Sequence, residues 1–313
     1  MINDFIKFFK ELKIVKDNKN YYNSKKSYII MRYLYLFSGG YLIDLINKII
    51  FKTEFSQQTH LNLGFKFYKK YNISNEFSKE ILNFNCHEPK SEERYKIDYF
   101  DNKNIPLVEI DKLDLFKNSN ISKLILDKDI YLEAQKIIGS KPVFCDLKAW
   151  WSMYSEDESK KNQAAQYWHR DIDRLRDIKI FFYLTDVNNE GDGCFEFVEN
   201  SHTSSLKNIS FSDNRLDHNF ISKKFSDKIT KFFGNAGQSF IVDTRGIHRG
   251  RPLNKNKKRC ILQLYLSNSN FGYGDKLSYS QNKITISKSW SSYEMWKGVI
   301  NSNLANFNNL NFE

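Results

Sequence analysis

The sequence predicts a mainly β fold with flanking helices, in which the strands form an antiparallel sandwich or barrel. Three observations lead to this prediction. Short aromatic and β-branched segments follow one another beyond Pro142, and turn-forming residues separate them. The preceding portion shows helical spacing of apolar residues in several pieces instead. With 313 residues, the chain is long enough to bury a substantial core.

The first portion of the chain predicts separate helices. Apolar residues recur at helical spacing within residues 2–12, with lysines among them. Ser74 is placed to cap a helix that runs through Ile81 and Leu82. A further helix is expected over residues 129–138, with Gly139 as its C-terminal stop.

Beyond Pro142 the pattern changes to strands. The predicted strands cover residues 143–154, 178–187, 237–243 and 259–266, and a loop is expected at 188–193. The sequence shows no internal repeat and no Pro/Ser-rich linker. We therefore predict one domain over residues 1–313. It has a helical N-terminal elaboration to about residue 140, a β core over about 141–268 and a C-terminal extension over about 269–313.

Charge and composition restrict the partners. The net charge of +11 is compatible with nucleic-acid binding, but the lysines are scattered apart from those in residues 255–259. A substrate linked to a coenzyme or nucleotide would suit the surplus positive charge equally well. The sequence therefore does not favour nucleic acid as the partner.

Cysteine usage and hydropathy indicate the compartment. The four cysteines show no CxxC spacing and are interpreted as free thiols, which favours a reducing cytoplasm. The amino terminus lacks the uninterrupted apolar segment of a secretory signal. The apolar stretch at residues 28–51 contains Arg32, Asp44 and Lys48, which argues against a membrane span. We therefore expect a soluble, cytoplasmic protein.

Two histidines and an aspartate match the ligand set of a mononuclear non-haem Fe(II) site. His169 and Asp171 lie two positions apart, so on a strand both side chains would point to one face. His248 follows the predicted strand at 237–243, where the chain can turn back towards the same point. Three protein ligands leave three octahedral positions open for a co-substrate and O₂.

Arg259 lies 11 residues beyond His248, at the start of the next predicted strand. A guanidinium binds a carboxylate through two parallel hydrogen bonds, which lysine does not reproduce. Arg259 is therefore a candidate for holding a dicarboxylate. The alternative is an arginine with a structural role at a strand end.

The segments around these residues resemble the phytanoyl-CoA dioxygenase-like group. The resemblance covers about residues 140–268 and is carried by Trp168-His-Arg-Asp171, Phe182–Val187, Gly193–His202 and Asp243–Gly250, followed by Arg259. The group consists of Fe(II)/2-oxoglutarate-dependent oxygenases built on a double-stranded β-helix, a jelly-roll relative. The resemblance thus implies a double-stranded β-helix (jelly-roll, cupin-like) core with helices around it.

Carried over residue by residue, the resemblance implies that His169, Asp171 and His248 bind iron. It implies that Arg259 holds the distal carboxylate of 2-oxoglutarate. In related halogenases a small residue replaces the carboxylate ligand, so the presence of Asp171 favours hydroxylation or another oxidation.

Gly250 departs from the pattern of the group. Many relatives have a small hydroxyl residue at this position, and it also contacts the carboxylate of 2-oxoglutarate. We expect Tyr183 or Thr185 to supply that contact here, from a strand face shared with Lys179.

The resemblance implies conversion of 2-oxoglutarate and O₂ to succinate and CO₂, coupled to oxidation of a C–H bond in a small-molecule or carrier-linked substrate. Gln166, Trp168 and Trp150 are candidates for lining the substrate pocket, with core packing as the alternative for both tryptophans. Two other functions remain open. One is a catalytically silent β-helix that binds a sugar or other ligand, and the other is a basic nucleic-acid oxygenase.

Overall fold

The computed structural model describes residues 61–125, 127–139, 142–171, 177–202 and 215–267, and two short strands nearer the C-terminus. The predictions for residues 2–12 and 28–51 lie outside the described residues. None of the helices described is long and apolar enough to cross a membrane. All four cysteines are free thiols.

Most of the described strands belong to two antiparallel sheets. In chain order the strands are β1 (Phe65–Phe67), β2 (Cys86–His87), β3 (Leu107–Ile110), β4 (Val143–Met153), β5 (Asp177–Tyr183), β6 (Phe195–Val198), β7 (Ile229–Phe232), β8 (Ser239–Val242), β9 (His248–Gly250), β10 (Lys258–Ser267), β11 (Ile284–Ile286) and β12 (Leu310–Phe312). The larger sheet has the order β1-β8-β5-β10-β4-β3-β2, and the smaller sheet has the order β7-β6-β9. Strands β11 and β12 form a separate parallel pair.

Helices lie mainly before β4. They are α1 (Asn75–Leu82), α2 (Lys112–Lys117), α3 (Ser119–Ile125), α4 (Lys128–Ile138), α5 (Glu158–Gln163) and α6 (His218–Lys224), and single 3₁₀ turns occur at Lys69–Tyr71, Ile97–Phe100, Glu190–Asp192 and Ser226–Lys228.

The two predicted helices that fall within the described residues before residue 140 are confirmed. The Ser74 side chain accepts a hydrogen bond from the backbone N–H of Phe77 and so caps the start of α1. Helix α4 ends at Gly139, which adopts the left-handed conformation with φ of 77°. Glycine reaches this conformation without the steric cost that a Cβ atom brings.

The larger sheet separates two cores, and the alternation of β5 shows the division. Ile178, Ile180 and Phe182 pack with apolar residues of the helices on one face of the sheet. Phe181 and Tyr183 point the other way, towards aromatic residues of the smaller sheet. The two sheets therefore face each other across an aromatic interior. This arrangement confirms the predicted mainly β, jelly-roll architecture with flanking helices.

The register of β10 aligns the polar residues of this interior. Arg259 lies opposite Ser152 of β4. Further along β10, Tyr265 lies between Asp146 of β4 and Lys179 of β5. Arg259 and Lys179 therefore share the inner face of the sheet but belong to different parts of it.

Three strands of the larger sheet were not predicted. β1, β2 and β3 lie in the portion expected to be helical, so its described part is mixed. They contain two to four residues each, too few to show an alternation of apolar and polar side chains. Strand β5 also ends at Tyr183, earlier than expected. The domain boundaries at about residues 140 and 268 stay a prediction.

Candidate metal centre

The two predicted histidine ligands face each other across an antiparallel bridge. The backbone N–H of His169 donates to the carbonyl of His248 at 3.0 Å, and the reverse hydrogen bond measures 2.9 Å. The centroids of the two imidazole rings are 4.2 Å apart. His248 opens β9, which pairs with β6. The smaller sheet therefore fixes one histidine, and the bridge aligns the other with it.

Both imidazoles present the same nitrogen to the site. Nδ1 of His169 is 2.8 Å from the carbonyl oxygen of Tyr167, and Nδ1 of His248 is 2.9 Å from that of Gly246. Because a carbonyl oxygen only accepts, each Nδ1 carries a hydrogen and each Nε2 faces the site. Burial, helped by the neighbouring His248, holds the pKa of His169 well below its ordinary value, so its ring is neutral.

Asp171 completes a triad with the two histidines. Its Oδ1 is 3.8 Å from Nε2 of His169, and its Oδ2 is 3.5 Å from Nε2 of His248. Burial alone would raise the pKa of Asp171, but the positive charge of Lys179 and the contacts with the two histidines together outweigh it, so the pKa lies well below its usual range. The Lys179 ammonium is 2.5 Å from Oδ2.

The triad meets the chemical requirements of a divalent metal site. One ligand atom from each residue lies within 4.8 Å of the other two, and among the described residues no other such group of His, Cys, Asp or Glu is found. Neutral imidazole nitrogen and carboxylate oxygen suit a borderline divalent ion such as Fe(II). The donor set therefore fits the predicted iron.

Arg259 is a buried cation in the interior between the sheets. Its side chain donates to the Gly193 carbonyl and, through Nη2, to Oγ of Ser152 at 2.9 Å. Its Nε–H has no hydrogen-bond partner, and within the described part of the chain no carboxylate pairs with it. A buried charge without a counter-ion is costly. The guanidinium thus fits a ligand that brings a carboxylate.

Gly250 lies directly against this guanidinium. A Cβ atom built at Gly250 would be 2.8 Å from Nη2 of Arg259, closer than ordinary van der Waals contact. The absent side chain at this position therefore leaves room for the arginine.

The structure gives other contacts to the side chains expected to touch 2-oxoglutarate. The Tyr183 hydroxyl donates to the Phe232 carbonyl and accepts from the backbone N–H of Phe195. Oγ1 of Thr185 accepts from the backbone N–H of Cys260 at 3.0 Å. Lys179 contacts Asp171 rather than the neighbourhood of Arg259. Ser152, which sequence reasoning missed, is the hydroxyl that touches the guanidinium, and strand register brings it there.

Two of the three residues expected to line a substrate pocket make buried contacts with other parts of the protein. The Gln166 side-chain amide is buried and donates to the carbonyls of Pro106 and Met153. Trp168 is fully buried in a small apolar cluster, and its indole N–H donates to Ser222. Contact of either residue with a substrate stays a prediction.

Trp150 keeps a position compatible with lining a pocket. It is partly buried on the inner face of β4, and its ring meets Phe181 edge to face, with centroids 6.4 Å apart. Phe195 lies closer to the metal centre and stacks on His248 with centroids 5.5 Å apart. No spacing in the sequence identified Phe195, because β6 and β9 are distant in the chain.

A buried ionic network supports the strand that carries His248. Glu196 of β6 lies opposite Arg249 of β9, and its carboxylate pairs with Arg249 and Arg251. The Arg249 guanidinium also lies over the Trp168 ring at 4.4 Å. The network therefore links β6, β9 and the segment that carries His169.

The sequence of the chain matches one family of known proteins. The sequence profile of the Phytanoyl-CoA dioxygenase (PhyH) family matches residues 73–259. Among curated proteins no significant match is found.

Several solved structures are similar in part. HygX from Streptomyces hygroscopicus, with nickel, 2-oxoglutarate and hygromycin B bound, has a TM-score of 0.47 and 12% identity, covering 67% of this chain and 85% of HygX. EctD from S. alaskensis in its apoform has a TM-score of 0.46 and 13% identity, covering 66% of this chain and 73% of EctD. The non-haem epimerase SnoN from nogalamycin biosynthesis has a TM-score of 0.44 and 12% identity, covering 66% and 79% of the two chains. Similarities at this level carry no functional conclusion.

The family profile spans more than half of the 313 residues, and the matched range contains the triad and Arg259. The chain therefore belongs to the phytanoyl-CoA dioxygenase (PhyH) family.

Proposed function

We propose that this protein hydroxylates a C–H bond of a small metabolite or carrier-linked substrate, with conversion of 2-oxoglutarate and O₂ to succinate and CO₂. As a member of its family it is a non-haem Fe(II)/2-oxoglutarate-dependent oxygenase. The observation that supports the proposal is the clustering of His169, Asp171 and His248 in the same interior as a buried, uncompensated Arg259. We also propose that the chain forms one domain and that the protein is cytoplasmic. Its free cysteines suit a reducing compartment.

The triad would hold the iron through Nε2 of His169, Nε2 of His248 and the Asp171 carboxylate. When bound, Fe(II) supplies the activation of O₂ that amino-acid side chains do not provide. The Asp171 carboxylate would be one of the metal ligands, and its presence supports hydroxylation rather than halogenation.

Arg259 would orient 2-oxoglutarate by its distal carboxylate. Its hydrogen bonds to Gly193 and Ser152 fix the plane of the guanidinium and use only some of its N–H donors. The remaining donors are available for a carboxylate. Orienting the co-substrate in advance lowers the entropic cost of reaction.

The aromatic interior would exclude water from the reacting groups. Phe181, Phe195 and Phe240 are buried between the two sheets, and Trp150 packs against them. A dry interior strengthens the electrostatic interactions of the triad and of Arg259. The same walls restrict access to a substrate that fits between the sheets.

Turnover with a metabolite panel tests the proposal. Purified protein is supplied with Fe(II), ascorbate and 2-oxoglutarate, and each of a set of free, nucleotide-linked and coenzyme-linked metabolites is added in turn. We expect slow succinate formation without substrate, and faster formation plus a product with one added oxygen atom for a true substrate. Mass spectrometry and succinate quantification provide the readout.

Matched histidine variants connect turnover to the triad. His248→Ala should abolish Fe(II) binding and succinate formation. His87→Ala is the control, because His87 lies on β2, outside the triad, and its ring contacts the Glu88 carbonyl. Succinate formation that survives in His248→Ala would exclude this ligand set, and a wild-type protein that forms none would favour the silent sugar-binding alternative. Salt-sensitive retention of DNA or RNA would favour the nucleic-acid alternative.

A further inference from the structure

Two buried ionic groups on the inner face of β5 have no role in the chemistry described above. They are Lys179 and Asp177, which lie two positions apart and therefore point to the same face of the strand. Their side chains are buried, with 8% and 1% of their surface exposed. The ionic surroundings of each side chain are unusual, and the two cases are connected.

Lys179 forms an ion pair with the Asp171 carboxylate, which the metal would need as a ligand. Its ammonium lies 2.5 Å from Oδ2 of Asp171 and 4.7 Å from the centre of the Tyr265 ring. In a buried site, an ammonium and a divalent cation on one carboxylate repel each other strongly. Metal binding to Asp171 is therefore opposed as long as Lys179 keeps this position.

Among the described residues, no cation forms an ion pair with the Asp177 carboxylate. Neither of its oxygens has a hydrogen-bond partner among the described residues. The neighbouring carboxylate of Asp243 is already paired with Arg245 through two hydrogen bonds. Burial and the negative charge of Asp243 raise the pKa of Asp177 to about 7. An unpaired buried carboxylate is costly, so Asp177 would gain from a cation.

We propose that Lys179 is a transferable counter-ion that neutralises Asp171 in the metal-free protein and passes to Asp177 when a divalent metal binds Asp171. The proposal rests on the metal centre of the proposed function. A lysine side chain carries its charge on a flexible stem, which suits a change of partner without movement of the strand. The Lys179 ammonium lies over the Tyr265 ring, whose face attracts cations. The ring would therefore stabilise the ammonium whether its partner is Asp171 or Asp177.

The exchange explains both unusual groups together. Without metal, Lys179 neutralises the Asp171 carboxylate, which would otherwise lie uncompensated beside two imidazoles. With metal, Lys179 removes the charge imbalance at Asp177. Lys179 and Asp177 are thus positioning residues for the ligand Asp171, and they have opposite effects on metal affinity.

A double-mutant cycle on metal affinity tests the exchange. Co(II) binding is measured by isothermal titration for the wild type, Lys179→Met, Asp177→Asn and the double variant. Lys179→Met should bind Co(II) at least about tenfold more tightly, because the competing charge is gone. Asp177→Asn should bind about tenfold more weakly, because Lys179 has lost its second partner.

The double variant carries the decisive result. We expect its affinity to match that of Lys179→Met, because Asp177 acts only through Lys179. Weaker Co(II) binding by Lys179→Met, or an Asp177→Asn effect that persists in the Lys179→Met background, overturns the exchange. A purely structural role for Lys179 predicts the first of these outcomes.

Three further measurements protect the conclusion. Lys179→Gln keeps a hydrogen-bond donor without the charge, and it replaces Lys179→Met if that variant does not fold. Lys148→Met is the matched control, because Lys148 shares the inner face but pairs with Asp146, which Lys112 also neutralises. Its Co(II) affinity should equal that of the wild type. Absence of Co(II) binding by the wild type would instead refute the metal centre itself, and the exchange with it.

Discussion

Each histidine of the metal centre is oriented by a carbonyl two residues earlier in the chain. Tyr167 serves His169, and Gly246 serves His248. The same short local contact therefore sets the tautomer on both sides of the bridge, and no distant side chain is needed for it. The acidic ligand differs, because Asp171 is held by the long-range contact with Lys179.

A methyl group at position 250 should disturb the 2-oxoglutarate site selectively. Gly250→Ala places a Cβ atom 2.8 Å from Nη2 of Arg259, so the guanidinium must shift by a few tenths of an ångström. We expect the KM for 2-oxoglutarate to rise about fivefold, since bidentate hydrogen bonds depend on geometry. Co(II) affinity should not change.

Steady-state succinate formation and isothermal titration separate these two effects of Gly250→Ala. Gly191→Ala is a suitable control, because its added Cβ meets the Asn254 side chain instead. An unchanged KM in Gly250→Ala would show that the carboxylate of 2-oxoglutarate is held elsewhere.

Replacement of the guanidinium itself should have a larger effect. Arg259→Lys keeps the charge but loses the planar set of donors, so the KM for 2-oxoglutarate should rise about 100-fold. Ser152→Ala removes one hydrogen bond to Arg259 and should raise the KM less. Equal effects of the two substitutions on KM would contradict the assignment of Arg259 as the direct contact.

At the scale of elements, strands β6 and β9 are joined by charge as well as by backbone hydrogen bonds. Glu196 is 1% exposed and neutralises two arginines, of which Arg249 is itself buried. Because β9 begins with His248, this network also determines the position of a metal ligand. Its stability and the geometry of the triad are therefore coupled.

Removal of the Glu196 charge should destabilise the fold. Glu196→Gln leaves Arg249 buried without a counter-ion, and the free energy of unfolding should fall by about 3 kcal/mol. Urea unfolding followed by tryptophan fluorescence measures the change. Glu133→Gln breaks the more exposed ion pair with Lys66 and should cost less than about 0.5 kcal/mol. Similar losses for the two variants would show that the network contributes no more than a surface pair.

The elements that sequence predicted are those with a complete local signal. Helix α4 has an apolar face and a terminal glycine, and β10 has a long β-rich run between polar residues. Strand β2 has two residues and exists only because β3 pairs with it. Its formation depends on tertiary contacts, which no local pattern encodes.

The candidate site shows the same limit. The His169–Asp171 spacing predicted two members of the triad, and the family resemblance supplied the third in its context. The role of Gln166 could not be predicted, because its partners Pro106 and Met153 lie far from it in sequence. The contact of Lys179 with Asp171 likewise arises from the tertiary structure and not from a local sequence pattern. Residue type identified the candidate ligands, whereas strand pairing decided which neighbours support them.

In the molecule as a whole, one face of β5 packs in the core beside the helices, and the other face lines the interior between the two sheets. Its apolar positions stabilise the sheet against the helices, while Asp177 and Lys179 place buried charge on the opposite face. The buried charges in the interior between the sheets therefore offset part of the stability that the core beside the helices provides. Functional sites are expected to have this effect.

The cost of Asp177 should appear in the pH dependence of global stability. Its pKa rises from an ordinary value of 3.8 to about 7 in the folded protein, so between these values the folded state keeps a proton that the unfolded state has lost. The contribution of Asp177 to the free energy of unfolding therefore declines as pH increases from about 4 to about 7. Asn at this position does not titrate and removes the decline. With metal chelated, the stability of Asp177→Asn relative to the wild type should increase by about 4 kcal/mol across this range and level off above it. Chemical unfolding of both proteins at a series of pH values measures the difference, and a difference independent of pH would show that Asp177 is ionised and neutralised in the folded protein.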